Sequence, residues 1–530
     1  MFQKIPNYVL AIISGLLFSA GWFSPITILL FFAWAPLFII EDKISNNIEI
    51  NRKKSKIIWL SYFAFFVWNI CATWWIYYAS FEGAILAIVC NPAFMCIAFM
   101  IWYNLKQRIN KPWAIWLLIP IWLGYEYGHT LWDLTWSWLI IGNAFAFNHN
   151  WVQWYEFTGT SGGSLWVLVV NILFYNLIKN KSYNLKQLAK PVGALIAPII
   201  LSYLILAIRT THLNSGKTYK TVIVQPNVDP YNDKFYFEPA VQLHNLLVQL
   251  NSKLDSTVDF LVLPETYLTE DFTEGKENDS YSLHFLVDSI LQAYPKLSIV
   301  TGASTFGVYK PGDEVSATAR KDGNSENYFD VFNTGLQLNK DGISYYHKSK
   351  LVPGVERMPF PALFKPLESF AIDLGGTMGS LGTQDERGVF FSHNKEVAIA
   401  PVICYESAYS DYVAEYIKNG ANLIFIITND GWWSDSPGHK QHLAYSRLRA
   451  IETRREIARC ANTGISCFVT PYGEIEQATP YWEQAIITKN MTPNNAQTIF
   501  VRFGDLISYS SAFMAILLLV WSQVLRFKKS

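Results

Sequence analysis

Charge is scarce in this sequence: 16% of its 530 residues are Asp, Glu, Lys or Arg, and 42 basic side chains balance 42 acidic ones. A chain without a net positive field is not suited to nucleic acid. With 51% hydrophobic and 16% aromatic residues and a mean hydropathy of +0.16, disorder and a collagen-like chain are also excluded. Cysteine is rare, six residues in all, which excludes a disulfide-stapled fold. No phosphate-binding glycine motif and no metal-ligand signature stands out, so no cofactor and no metal is implied. What is present is unevenly placed. Residues 1–210 hold 16 of the 20 tryptophans but 21 of the 84 charged side chains, which implies two regions with different solvents.

Apolar runs fall at 8–22, 26–40, 58–79, 84–105, 112–128, 161–178 and 191–208, with an eighth at 506–525. A helix needs about 20 apolar residues to cross roughly 30 Å of hydrocarbon, so most of these read as transmembrane helices. The first two are short and broken by Phe23, Ser24 and Pro25, and read as a tight helical hairpin. Lys and Arg set the orientation. Lys43, Arg52, Lys53, Lys54 and Lys56 follow the second run, Lys106, Arg108 and Lys111 the fourth, and Lys179, Lys181, Lys186 and Lys190 the sixth, whereas 23–25, 80–83 and 129–160 contain neither. With Lys4 inside, seven crossings carry the polar region to the outer side, and an eighth returns to an inside tail bearing Arg526, Lys528 and Lys529. The expected organisation is a seven-helix transmembrane domain at 1–210, an outer domain at 211–504, and an eighth helix with a cytoplasmic tail at 505–530.

A cleavable signal peptide is the rival reading of the first run. The second run follows at once and the charge pattern needs the first helix, so retention is favoured. Gly159-Thr160-Ser161-Gly162-Gly163 matches the G-x-S-x-G of a nucleophile elbow. An elbow joins a strand to a helix, and here the motif opens a membrane helix, so it reads as helix packing. Few ionisable groups fall within the helices, and Glu126 and Glu156 lie near their boundaries, which argues against an ion pathway.

Beyond residue 215 the pattern changes to short β-rich runs at 221–224, 260–263, 297–302, 334–338, 397–403, 423–428 and 465–470, each bounded by Pro, Gly, Asn or Asp. Helical stretches at 238–254, 283–293, 410–419 and 440–460 alternate with them, which predicts a mixed α/β layer fold with buried strands. Residues 310–328 read as an exposed loop.

Three of these strand ends carry reactive groups. Leu261-Val262-Leu263-Pro264 delivers Glu265, Tyr346-His347-Lys348-Ser349-Lys350-Leu351-Val352-Pro353 carries Lys348, and Val402-Ile403 delivers Cys404, Tyr405 and Glu406. Ligands in α/β folds lie beyond the carboxyl ends of strands, so a carboxylate, an amine and a thiol at three such ends suggest one site. Taken singly, a buried thiol, a strand-end carboxylate and a surface amine each have an ordinary structural reading. Taken together they fit acyl transfer. A thiol with a pKa of about 8.5 is mostly protonated at neutral pH, so Glu265 is expected to take its proton during attack. Lys348 is the expected oxyanion stabiliser, with the Tyr405 backbone amide as a second donor, and the acyl group rests on Cys404 as a thioester. If an amine is to outcompete water for it, the pocket must be dry. The apolar arm at 358–374, with Phe360 and Phe364, and the glycine-rich 375–382 offer one; ordinary core packing is its rival.

The order of Glu265, Lys348 and Cys404 at these strand ends resembles the carbon-nitrogen hydrolase (nitrilase) superfamily. Lys348 followed by Leu351-Val352-Pro353 and Glu356, Cys404-Tyr405-Glu406, Asn429-Asp430-Gly431-Trp432-Trp433, and Arg454-Arg455-Glu456 leading through Arg459 to Asn462-Thr463-Gly464-Ile465-Ser466 resemble its membrane branch, the apolipoprotein N-acyltransferases. Residues 15–36 and 153–163 are similar to that family's opening hairpin and to the segment before its sixth helix. The resemblance implies a nitrilase-like αββα sandwich joined to an eight-helix bundle in a bacterial inner membrane, with the catalytic domain on the periplasmic side. It implies a phospholipid acyl donor, and an acceptor amine on the N-terminal diacylglyceryl-cysteine of an apolipoprotein. Glu356, Tyr405 and Glu406 are then supporting residues, and Phe235, Phe360, Phe364, Trp432 and Trp433 candidates for substrate contact. Two departures stand out: Pro353-Gly354-Val355-Glu356 replaces a common Pro-Phe-Gly-Glu, and Lys234-Phe235 a common Lys-Trp.

Other side chains read as structural. Cys71, Cys90 and Cys96 pack in membrane helices, and Cys460 and Cys467, expected on a helix and a strand, form no bond. His439 and His442 have ligand-like i, i+3 spacing, but no further ligand completes a metal site, and they read as a solvated helix start. A membrane-anchored amidase using water as acceptor is the second functional reading, and a transport or scaffold protein that only binds is the third.

Overall fold

The computed structural model describes residues 4–181, 184–210, 216–231, 238–250, 253–323, 325–360 and 380–527. The chain divides into two compact units, Met1–Tyr77 with Phe81–His212 and Phe503–Ser530, and Tyr78–Ser80 with Leu213–Arg502.

In the first unit, five helical spans among the described residues are long and apolar enough to cross a membrane: Lys53–Tyr78, Phe81–Ile109, Tyr155–Asn180, Leu185–Arg209 and Leu506–Val524. The remaining apolar runs are interrupted. The first becomes the helix Asn7–Ser19 with a 3-10 turn at Ala20–Trp22, and the second a 3-10 stretch, Ile26–Phe32, ahead of the helix Ala35–Asn46. The fifth starts as a 3-10 turn, Pro112–Leu117, and continues as the helix Leu118–Gly128. Where the hairpin breaks, the Asn171 side chain accepts from the Trp34 amide at 2.9 Å and donates to the Leu30 carbonyl at 3.1 Å, pairing backbone groups that hydrocarbon could not. Gly15 lets the first helix close on the next span, since a Cβ there would lie 2.5 Å from the Ala64 carbonyl oxygen.

The tryptophan-rich composition becomes the interior of this unit. Phe18 stacks on Trp68 with ring centroids 4.5 Å apart, and Trp34 meets Phe18 and Trp122 edge-on at 5.0 and 4.5 Å. Lys106 pairs with Glu41, and Lys179 with Asp42 at 2.8 Å, so part of the basic loop charge is neutralised locally. Glu126 is buried and accepts from the Trp122 indole and the Ile141 amide, while Glu156 pairs with Arg209 at 3.1 Å. Inside Tyr155–Asn180, Gly159 adopts φ 62°, and a Cβ on Gly162 or Gly163 would strike Thr158 or Tyr155. The G-x-S-x-G match is therefore helix packing. Leu204, Ile208, Phe513, Ile516 and Val520 remain exposed on the last two spans, a surface suited to hydrocarbon.

The second unit is a four-layer α/β sandwich. Its strands are β1 (Tyr219–Gln225), β2 (Val258–Val262), β3 (Leu268–Thr273), β4 (Ser298–Val308), β5 (Arg320–Lys321), β6 (Tyr328–Asn339), β7 (Gly342–His347), β8 (Phe390–Phe391), β9 (Ala398–Ile403), β10 (Leu423–Thr428), β11 (Ile457–Ala461), β12 (Cys467–Val469), β13 (Ile475–Glu476) and β14 (Ala485–Met491). One sheet runs β14-β1-β2-β4-β6-β5, with β3 beside β4 and β7 beside β6; the other runs β13-β12-β11-β10-β9-β8. The parallel strands β1-β2-β4 and β9-β10-β11 form the middle of each sheet and are buried on both faces, which is why they read as continuous apolar runs. Phe260 on β2 meets Phe425 on β10 edge-on at 5.4 Å, and the Cys460 thiol donates to the Val224 and Val262 carbonyls across the interface. On the outer face of the first sheet, Leu243, Leu246 and Leu250 of the helix Pro239–Leu250 and Leu283 and Leu286 of Tyr281–Leu286 cover Val222, Leu261 and Ile299. The helices Ser410–Lys418 and Pro437–Thr453 pack on the second sheet.

Two expectations need correction. The helix expected at 440–460 stops at Thr453, where Arg454 takes a left-handed φ of 51°, and the chain re-enters the sheet as β11, so Cys460 is a strand residue. It and Cys467 are free thiols, as expected. The segment 310–328 is not wholly loop, because β5 pairs with the start of β6.

β2 is prolonged past its end by two bonds, Leu263 N–H to the Val300 oxygen and Gly302 N–H to the Pro264 oxygen. Gly302 has no room for a side chain: a Cβ would lie 2.3 Å from the Thr266 nitrogen and 2.8 Å from the Glu265 Cα. Gly302→Ala should therefore displace backbone, and overpacking of this kind costs about 1–3 kcal/mol. A thermal melt of the full chain should show a clear drop; an unchanged melting temperature would refute the close approach.

Candidate active site

Three strand ends of the second unit converge, and each is shaped by its own local chemistry. β2 stops at Leu263-Pro264, and Thr266 adopts a left-handed φ of 45°, so the chain turns with the Glu265 side chain buried. β7 ends at His347, and the Lys348 amide donates to the Asn333 carbonyl of β6 at 2.8 Å, which continues the pairing by one residue. β9 ends at Ile403, and Cys404, at φ 47°, turns directly into a 3-10 helix, Cys404–Ala408.

The Lys348 ammonium is 1% exposed and donates to Glu265 Oε1 at 3.0 Å and to Glu356 Oε1 at 2.7 Å. Glu356 reaches it because its loop closes on itself: the Glu356 amide donates to the Val352 oxygen, and the Val352 amide donates back to Glu356 Oε2 at 2.8 Å. Gly354, in the departure from the common Pro-Phe-Gly-Glu, has φ 79° and donates to the Arg357 oxygen, so glycine serves the turn at this position. Burial opposes the Lys348 charge, but the Glu265 and Glu356 carboxylates outweigh it and raise its pKa well above the ordinary lysine value.

Cys404 is partly exposed as a residue. Burial, followed by the Glu265 carboxylate, pushes its thiol far above the usual range, while Lys348 pulls the other way. The resting sulfur is protonated. Glu406 lies two residues on, fully buried, and accepts five hydrogen bonds: from the Tyr346, Tyr412 and Tyr416 hydroxyls and from the Ser349 and Ile403 amides. It clips the Lys348 strand end to the Cys404 turn. Its own pKa is raised by burial, against which those donors work.

Of the other sequence candidates, Tyr405 is buried with its ring edge-on to Tyr409. Trp432 and Trp433 lie on the 3-10 turn Asp430–Trp433; Trp433 meets the His442 ring edge-on at 5.4 Å, and Trp432 meets Tyr231 at 5.1 Å. Phe360 is 36% exposed on the chain leaving Glu356. Phe235 and Phe364, and the arm at 361–379, lie outside the described residues.

Several residues of the site were not singled out from sequence. Asn333 on β6 donates its amide to Glu265 Oε1 at 2.9 Å and to Glu356 Oε1 at 3.1 Å, which fixes the amide's orientation, since its oxygen would repel both carboxylates. An Asn amid the β-rich run Val331-Phe332-Asn333-Thr334 was the available signal. His439 and His442 are not a solvated helix start: they are 1% and 0% exposed. The helix Pro437–Thr453 is buried nearly all round, so its polar groups turn inward. His442 pairs with Asp430, and Asp430 with Arg459 at 2.5 Å, all fully buried. Among the described residues, no group of three or more His, Cys, Asp or Glu could hold a metal ion.

Residues 222–499 match the family model described as carbon-nitrogen hydrolase, and residues 14–173 the one described as apolipoprotein N-acyltransferase N-terminal domain. The chain is similar to a protein of Chlorobaculum tepidum named apolipoprotein N-acyltransferase, 28% identical over 85% of this chain and 84% of that one. A Rickettsia prowazekii protein of the same name is 28% identical over 97% of both chains. Among solved structures, Saccharomyces cerevisiae Nit3, of the nitrilase superfamily, overlaps 55% of this chain and 95% of its own, with 16% identity and a TM-score of 0.36.

Because the ammonium of Lys348 lowers the proton affinity of the Cys404 thiol, Lys348→Met should raise it further. Alkylation of Cys404 by iodoacetamide, followed by mass spectrometry between pH 7 and 9, should rise with pH in the unmodified protein and be slower at every pH in the variant. Faster labelling of the variant would contradict the electrostatic reading.

Proposed function

Given that the chain belongs to the carbon-nitrogen hydrolase family, we propose that it is an apolipoprotein N-acyltransferase, which moves an acyl chain from a phospholipid to the N-terminal amine of a diacylglyceryl-cysteine lipoprotein. The observation that carries the chemistry is a buried ammonium, Lys348, held by the Glu265 and Glu356 carboxylates, with the Cys404 thiol, raised by burial and by Glu265, at the neighbouring strand end. A thiol in that state is a poor nucleophile until a base removes its proton, and Glu265 is the base. As Cys404 sulfur attacks the ester carbonyl, Glu265 takes the proton, and the Lys348 ammonium stabilises the oxyanion. Collapse breaks the ester bond; Glu265 returns the proton to the leaving alkoxide, and a lysophospholipid departs. The lipoprotein amine then attacks the thioester, Glu265 accepts its proton, and collapse to the amide restores the Cys404 thiol. Glu356 and Asn333 hold Lys348 and Glu265 in place, Glu406 aligns the Cys404 turn, and the Tyr405 amide is a second oxyanion donor.

Phe235, Phe360, Phe364, Trp432 and Trp433 are the proposed substrate contacts, and a dry lipid-facing pocket excludes water as a competing acceptor. The same reading makes the chain a multi-pass inner-membrane protein with eight spans, residues 211–504 on the periplasmic side, and 505–530 the eighth span with its cytoplasmic tail. Support comes from the uncovered apolar faces of the helical unit and from the alternation of basic and uncharged loops.

Two experiments test this. Purified protein given labelled phospholipid and a diacylated lipopeptide should form the amide; Cys404→Ser should abolish it, Glu265→Gln should slow it by about 10²-fold or more, and Cys460→Ser should leave it intact. Release of free fatty acid with no amide would favour the amidase reading, and neither product a binding protein. For topology, reporters after Lys54 and Lys181 should read as cytoplasmic and one at Asn324 as periplasmic; a cytoplasmic result at Asn324 would overturn the arrangement.

A further inference from the structure

Cys404 is the last residue at which strain would be expected to come without compensation. Its φ of 47° lies in the left-handed region, which side chains other than Gly, Asn and Asp seldom occupy and which costs of order 1 kcal/mol or more. Something must hold its peptide in that orientation. The Cys404 carbonyl oxygen accepts the Ser407 hydroxyl at 2.7 Å and lies 3.1 Å from His442 Nε2, which is itself 2.9 Å from the Ser407 oxygen. On the other side of the ring, His442 Nδ1 is 2.9 Å from Asp430 Oδ1.

Asp430 is fully buried; despite burial, Arg459 and His442 hold its carboxyl far below the ordinary range, so it is a carboxylate and only accepts. It accepts from Arg459 at 2.5 Å and from Thr428 at 2.8 Å, and lies beside His442 Nδ1. The Cys404 carbonyl also only accepts, so the bond across the 3.1 Å contact uses a proton on Nε2, the tautomer that leaves Nδ1 to accept from Arg459 Nη2 at 3.2 Å. An Asp, a His and a Cys thus line up as in a nucleophile relay, but the imidazole addresses the backbone oxygen of the cysteine.

We propose that His442, oriented by Asp430 and Arg459, is a positioning residue for acyl transfer: it clamps the Cys404 carbonyl and so holds the strained turn that aims the thiol at Glu265 and the acyl donor. This rests on the acyl-transfer reading above. Asp430 and Arg459 act one step further back, and Ser407 supplies the second donor to the same carbonyl. Misplacement of a reacting group by about 1 Å can cost 10²-fold in rate, so a clamp of this kind is worth as much as a group that touches substrate.

Two isosteric variants separate this role from packing. His442→Gln places an amide N–H near the Nε2 position and can still reach the Cys404 carbonyl. His442→Asn reaches only the Nδ1 position, so it keeps the partner of Asp430 and loses the clamp. Acyl-enzyme formation from labelled phospholipid, iodoacetamide labelling of Cys404 and the melting temperature are measured on the full-length variants. The expected result is a loss of about 10- to 100-fold in acylation for His442→Asn, slowed labelling, a melting temperature matching that of His442→Gln, and near-normal acylation and labelling for His442→Gln. Equal losses in both variants, or normal acylation and labelling in His442→Asn, would overturn the clamp. If the unmodified protein is labelled by iodoacetamide but forms no acyl-enzyme, the acyl-transfer reading fails, and the labelling of the two variants still decides the role of His442.

Discussion

A lysine ammonium buried to 1% exposure is the constraint around which the second unit is arranged. An uncompensated charge in a protein interior is strongly destabilising, and removing one partner of a buried pair costs about 3–5 kcal/mol. Lys348 therefore requires Glu265 and Glu356, which come from the end of β2 and from a self-closing loop. Those carboxylates in turn require donors, and Asn333 bridges them from β6. β2, β6 and β7 lie in one sheet, so satisfying one cation gathers three strand ends of that sheet, while β9 lies in the other. Glu406 completes the arrangement by joining the Ser349 amide, next to Lys348, to the Ile403 amide, next to Cys404.

The electrostatics that hold the site together also determine its chemistry. Two carboxylates keep Lys348 charged against burial, and a charged Lys348 beside Cys404 only partly offsets what burial and Glu265 do to the thiol. A thiol held protonated at rest is protected, since a resting thiolate would be open to oxidation and alkylation.

Glu265 and Cys404 were legible in the sequence because each stands where an apolar β-rich run breaks, and Lys348 because it lies between them ahead of Leu351-Val352-Pro353. Their order did the rest. Gly302, Asn333 and His442 were less accessible, since their roles depend on partners brought in by the fold. Gly302 matters because the turn after β2 passes over β4, and Asn333 because β6 pairs with β4 and β7. His442 looked solvated by local spacing, yet its helix is covered on nearly all sides. In the first unit, five spans follow from apolar length alone, whereas the hairpin at Asn7–Asn46 and the run at 112–128 are broken by 3-10 turns near Pro25, Pro36 and Pro112. Hydropathy marks apolar runs but not such breaks in them.

The most direct test of the account is to locate the acyl group itself. Protein incubated with a phospholipid of one defined acyl chain, digested and analysed by tandem mass spectrometry, should carry a single added acyl mass on the peptide containing Cys404, labile to hydroxylamine as a thioester is. Adding a diacylglyceryl-cysteine peptide should remove that mass from Cys404 and return it as an amide on the peptide's amine. An acyl group on another residue, or an amide product formed while Cys404 is never modified, would contradict the account.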